Sequence, residues 1–94
     1  IEAATVVWTA GARAQALAAQ IDGEHDRYGR VVVDAQLRAP RCPAVFVTGD
    51  LACATVDEAG HQALMSCQHA LSLGRVAGYN AAADLLGLPL HTYR

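Results

Sequence analysis

Lysine is missing altogether from these 94 residues: all seven cations are arginine, set against nine carboxylates for a formal net charge of −2. That balance supplies no electrostatic footprint for nucleic acid or an anionic membrane surface. Aromatic residues are scarce at 5%, while alanine alone fills 20 positions, which favours tight helix packing over a large aromatic core. No apolar run approaches the roughly 20 residues of a membrane span, and no signal-peptide pattern is visible. Neither a G-x-G-x-x-G turn nor a P-loop occurs, so no backbone phosphate cradle is expected. Cys42, Cys53 and Cys67 form no C-x-x-C pair and leave an odd number, which points to free thiols in a reducing, cytoplasmic setting. The histidines (His25, His61, His69, His91) make no metal-ligand spacing with a cysteine, so no metal site is expected. Cys67 and His69 lie two apart on an expected helix and point away from each other, against a thiolate–imidazole pair. Ser66 lies in no nucleophile elbow. The chain is therefore not expected to carry a catalytic apparatus of its own.

What is present centres on Ala44-Val45-Phe46-Val47 running into Thr48-Gly49-Asp50. A short apolar run bounded by turn residues predicts a strand buried on both faces in a parallel sheet. In such sheets ligands bind outside the carboxyl ends of the strands, which is where Asp50 falls. Gly49 permits close backbone approach, and an ionised Asp accepts hydrogen bonds from hydroxyls. On local pattern alone the same residues read more readily as a plain strand-to-turn transition with Asp50 as a helix N-cap.

Around that run, Thr5–Trp8 predicts a short strand closed by the small-residue turn Thr9-Ala10-Gly11-Ala12. Residues 13–21 predict a helix with Leu17 and Ile21 on one face, ending before Asp22-Gly23. Arg30–Asp34 predicts a strand with Gln36–Arg38 as its hairpin partner, and residues 39–43 a rigid linker; together these form a small β-meander. Residues 51–60 predict a loop. A long helix is expected over roughly 62–86, its start at the earliest residue 62 and at the latest near Cys67. Its apolar stripe is Leu64, Cys67, Leu71, Gly74, Gly78, Ala81 and Leu85. A second stripe of small residues, Ala70, Gly74, Gly78 and Ala82, suits close approach of a backbone or a flat ligand. Gly87-Leu88-Pro89 stops the helix.

Taken in order, Trp8-Thr9-Ala10-Gly11, Gly29–Asp34 with Leu37-Arg38, and Val45–Ala52 resemble the pyridine-nucleotide flavin oxidoreductases. Ser66-Cys67-Gln68-His69-Ala70, followed by Gly74 and Asn80, is similar to the single-subunit (type II) NADH dehydrogenase branch. The resemblance implies an α/β fold. Residues 1–94 would be the C-terminal part of a split, Rossmann-like FAD-binding domain: a short β-meander, a buried parallel strand and a long C-terminal helix. It implies FAD as cofactor, with NADH or NADPH as substrate and a quinone-type acceptor. Ala10 and Gly11 would lie at the crossing back towards the FAD. Gly49 and Asp50 would meet the ribityl hydroxyls, and Cys67, Gln68 and His69 would open the helix beneath the flavin ring. The Gly-rich FAD fingerprint, the NAD(P)H domain and the family's redox cysteine pair are absent, and Cys67-Gln68 stands where the family has Ala-Gln. The chain, which begins at Ile1 and stops at Arg94, is accordingly read as an excerpt. Alone it is expected to be inactive, to pair with the remainder of a flavoenzyme chain and to form a homo-oligomer. The intact protein is expected in the cytoplasm, with a peripheral position on the inner face of the membrane open to it. The competing reading is a non-catalytic α/β scaffold or oligomerisation module.

Overall fold

A computed structural model describes residues 1–9 and 11–94. It is a mixed α/β arrangement with one parallel strand pair, one hairpin and one long helix. The parallel pair joins β1 (Val31–Val32) to β4 (Ala52–Cys53), with Val31 opposite Ala52 and Val32 opposite Cys53. The hairpin joins β2 (Arg38–Ala39) to β3 (Cys42–Phe46), antiparallel and with an irregular register between Arg38 and Ala39. Helix α1 spans Cys67–Leu86.

The α/β class stands, but the pairing differs from the expected meander. β1 does not pair with the Gln36–Arg38 segment, because the chain turns sharply between them. The Asp34 carboxylate accepts from the backbone N–H groups of Gln36 and Arg38, both at 2.9 Å, and Leu37 takes a left-handed φ of +65°. That turn carries the chain out of the parallel pair and into the hairpin, so residues 39–43 are not a linker but its tip, Pro40-Arg41, with the strand ends on either side. β3 is therefore antiparallel and half exposed, and the buried parallel pairing falls to β1 and β4 instead. Of the central run only Val47, just beyond β3, is fully buried; its N–H donates to the Leu37 carbonyl at 2.9 Å. β4 lies within the stretch expected to be loop.

Two further expectations change. Thr5–Trp8 forms no strand: Val6, Val7 and Trp8 are exposed and no neighbouring strand accepts their backbone groups among the described residues. The helix expected over 13–21 contracts to a 3-10 turn, Ala16–Gln20, in which Ala18 is buried and Leu17 exposed. Upstream of it the Ala14 N–H donates to the Tyr28 carbonyl at 2.9 Å, which spends the first turn on a tertiary bond.

Helix α1 begins at Cys67 because Ser66 is extended and its hydroxyl caps the His69 N–H at 3.4 Å. Residues 62–63 are held extended by a bridge between Thr55 and Gln62 and by the Ala63 N–H on the Ala54 carbonyl at 2.8 Å. The helix ends at Gly87, whose φ of +68° is the left-handed cap that glycine adopts without penalty. Its buried residues are Leu73, Ala77, Asn80 and Ala83; Leu64, Leu71 and Leu85 of the expected stripe face outward. The helix thus has two apolar faces, and only one is covered within the described residues. No helix among these is long and apolar enough to cross a membrane.

The core gathers Val31, Leu37, Val47 and Leu73 with several alanines. Asn80, fully buried, locks the helix to it. Its Nδ2 donates to the carbonyls of Gln36 and His91, each at 2.8 Å, and its Oδ1 accepts from the His91 N–H at 2.7 Å. The segment after the helix is pinned further by the Tyr93 N–H on the Ala35 carbonyl at 2.8 Å and by a Tyr79–His91 ring stack at 3.9 Å. Asn80→Leu keeps the volume but strands three backbone groups. At about 1 kcal/mol per bond it should cost about 3 kcal/mol, read by chemical denaturation. A variant as stable as its parent would show that the lock is dispensable.

Candidate functional site

The first two turns of α1 and the Thr48–Asp50 loop come together. Gly49 has φ +66°, and a Cβ built on it would lie 3.9 Å from the Ala70 methyl; a Cβ on Gly74 would lie 3.8 Å from the Thr48 hydroxyl. Half of the small-residue stripe therefore seats the loop, while Gly78 meets nothing and stays open. Thr48, not Asp50, occupies the N-cap position of the short 3-10 turn Gly49–Leu51, without a side-chain cap bond. Asp50 sits exposed in that turn, and its carboxylate makes no hydrogen bond among the described residues. The alternative of Asp50 as a helix cap is thereby removed.

Cys67 and Gln68 are exposed in the first turn of α1, where backbone N–H groups lack intrahelical partners and carry about half a positive charge between them. His69 is half-buried, its Nδ1 2.8 Å from the Ser66 hydroxyl. Gln68 and His69 open onto a hollow of about 340 Å³ shared with Ser72 and Tyr93. Gly11, exposed with φ +103°, lines a different hollow of about 360 Å³ together with Leu64 and Met65, just ahead of α1. Ala10 lies outside the described residues. The structure thus brings Gly49, Asp50, Cys67, Gln68 and His69 to one end of α1. It places Gly11 beside Leu64 and Met65, the residues leading into that end.

The run-in to α1 is positioned by Arg30, which sequence reasoning did not single out. Its buried guanidinium bonds the Asp26 carboxylate at 2.7 Å, the Ala63 carbonyl at 2.7 Å and the Gln62 amide oxygen at 3.3 Å. The signal available was the i, i+4 spacing of Asp26 and Arg30. Gln62 also meets the Cys53 thiol. Burial pushes that thiol's pKa up, so Cys53 remains a protonated core filler. No group of histidines, cysteines and acids suited to a metal ion occurs among the described residues.

Burial works to raise the Asp26 pKa, but bonds from the Arg30 side chain and the Arg30 and Tyr28 N–H groups outweigh it and hold it below 3.8. A carboxylate depressed in the folded state adds stability above its unfolded pKa, and that stability is lost as pH falls through the folded value. Asp26→Asn should therefore flatten the fall in stability below about pH 4, measured as melting temperature against pH. Parallel curves for variant and parent would remove Asp26 from the acid limb.

Residues 1–74 match the profile of a family described as "pyridine nucleotide-disulphide oxidoreductase". Across all 94 residues the chain is 47% identical to an "NADH dehydrogenase-like protein" of Mycobacterium tuberculosis, in strain CDC 1551 / Oshkosh and in strain ATCC 25618 / H37Rv. It spans 23% of the length of each of these relatives.

Proposed function

Because the chain belongs to the pyridine nucleotide-disulphide oxidoreductase family, we propose that it supplies the ribityl and isoalloxazine side of the FAD site in a flavin-dependent NAD(P)H dehydrogenase. One juxtaposition supports this reading above all. A carboxylate with no partner among the described residues, Asp50, follows a left-handed glycine seated on the small residues at the open end of α1. Those residues fit the cofactor. An unpaired acceptor suits a chain of hydroxyls, and Ala70 and Gly74 leave room for a loop to approach closely. The bound FAD would supply hydride acceptance from NAD(P)H and electron delivery to an acceptor such as a quinone.

Within that division of labour the chain binds and orients. Asp50 accepts hydroxyl hydrogen bonds and fixes the ribityl chain along the loop. The open N–H groups of Cys67 and Gln68 favour negative charge at the first turn of α1, as helix N-termini do by about 0.3–1 kcal/mol per charge. The Ser66 hydroxyl holds the His69 ring at that same turn. The exposed face carrying Leu64, Leu71 and Leu85 is where the remainder of the flavoenzyme chain, or a second copy, would pack.

Asp50→Ala in the complete enzyme should lose charge-assisted bonds worth about 1.5–3 kcal/mol each. FAD affinity should then fall about ten- to a hundredfold, measured by flavin release on dialysis or dilution. Unchanged affinity would return the Gly49-Asp50 turn to a purely structural role.

A further inference from the structure

Between the Asp50 turn and the first turn of α1 the chain makes an excursion. It leaves Asp50 through β4, runs out along residues 54–61 and returns at Gln62-Ala63, four residues ahead of the helix start at Cys67. The two limbs are tied by the Ala63 N–H on the Ala54 carbonyl at 2.8 Å, by the Val56 N–H on the His61 carbonyl at 2.7 Å and by the Thr55–Gln62 bridge. Apolar burial holds the returning limb only weakly: Ala63 is buried, but Leu64 is exposed and Met65 and Ser66 are half-buried. What fixes it to the rest of the chain is polar. Arg30 donates from Nη1 to the Ala63 carbonyl at 2.7 Å and from Nη2 to Oε1 of Gln62 at 3.3 Å. That same amide oxygen accepts from the Cys53 thiol on the outgoing limb. Arg30 is itself anchored. Its backbone N–H and its Nε both meet the Asp26 carboxylate, at 2.9 and 2.7 Å, and it leads directly into β1, the strand paired with β4.

A planar guanidinium holds its partners in a fixed fork, which an ammonium does not. Here the fork joins β1, the outgoing limb through Gln62, and the residues entering α1, so the helix start and the Asp50 turn are held as one body. The influence of a helix N-terminus on nearby charge falls off within its first turn, so the placement of that turn decides its size. We propose that Arg30 and Gln62 are positioning residues for the flavin: they hold the first turn of α1 in register with the Asp50 turn and thereby set how strongly the site favours reduced over oxidised flavin. This role rests on the flavin reading above and differs from that of Asp50, which holds the cofactor in either redox state.

Redox titration of the flavin bound to the complete protein, followed at its visible absorption band, tests it. Arg30→Lys keeps the charge and loses the fork. Gln62→Ala keeps the arginine and, at an exposed residue, should leave the chain folded. Both variants should retain FAD but weaken the preference for reduced over oxidised flavin about three- to fivefold, the range a helix N-terminus commands. For a two-electron couple that lowers the potential by about 15–20 mV. Arg38→Lys, which loosens the pair with Asp84 near the far end of α1, should lower the melting temperature without moving the potential. That pattern separates positioning from a through-space charge, which Arg30→Lys preserves, and from a general loss of stability, which Arg38→Lys shares. Potentials equal to the parent's in both Arg30→Lys and Gln62→Ala would overturn the proposal, as would an equal shift in Arg38→Lys. A complete protein that neither carries nor takes up FAD would overturn the flavin reading itself, a result distinct from flavin bound at an unshifted potential.

Discussion

Asn80 is the interaction on which the arrangement turns. A buried amide has two donors and an acceptor to satisfy, and here all three find backbone partners, on two residues from different parts of the chain. Gln36 belongs to the turn between β1 and the hairpin, and His91 to the segment after α1. One side chain therefore sets the rotation of the helix about its own axis. Rotating α1 to bury Leu71 and Leu85 would turn Asn80 and Leu73 out towards solvent and strip the Gln36 carbonyl and both His91 backbone groups of their partner, a loss larger than an extra leucine gains. Helix phase is decided by polar satisfaction rather than by the largest apolar residues.

That phase has consequences at the other end. With Leu73 and Ala77 inward, Ala70 and Gly74 are presented to the Thr48–Gly49 loop, and the first turn is left facing outward with Cys67 and Gln68. Arg30 acts in concert from below, tying the residues that precede the helix to the turn at Asp26. A buried cation of this kind is costly unless fully paired, and here its donors meet a carboxylate, a carbonyl and an amide. The start of α1 is thus fixed from three sides by groups remote from one another in sequence.

Local signals carried the ends of elements well. Gly87-Leu88-Pro89 as stop and the Gly49-Asp50 turn were legible, because each is written in two or three adjacent residues, whereas Ser66 as cap was passed over in favour of a start near residue 62. Pairing was not. β4 is Ala52-Cys53, with no β-branched or aromatic residue to mark a strand, and its partner β1 lies about twenty residues upstream. The helix face was misjudged because periodicity ranks leucines above an asparagine, and nothing in Asn80 itself announces three backbone partners. Thr5–Trp8 has strand composition, yet composition cannot make a strand where no neighbour accepts its bonds. Of the candidate site, the residues at the end of α1 were legible.

Leu37 combines two demands that no single amino acid meets without loss. Its backbone sits at a dihedral that costs an L-residue about 1–2 kcal/mol, and its side chain is wholly enclosed. Glycine would relax the dihedral but empty the core, at a cost of the order of the 2–5 kcal/mol seen for leucine truncations. Valine or isoleucine would fill the space, but branching at Cβ resists the left-handed turn. Asparagine would turn readily and bury an unpartnered amide. Leucine survives by elimination, and the strain it holds comes from sending the chain from a parallel pair into a hairpin within five residues.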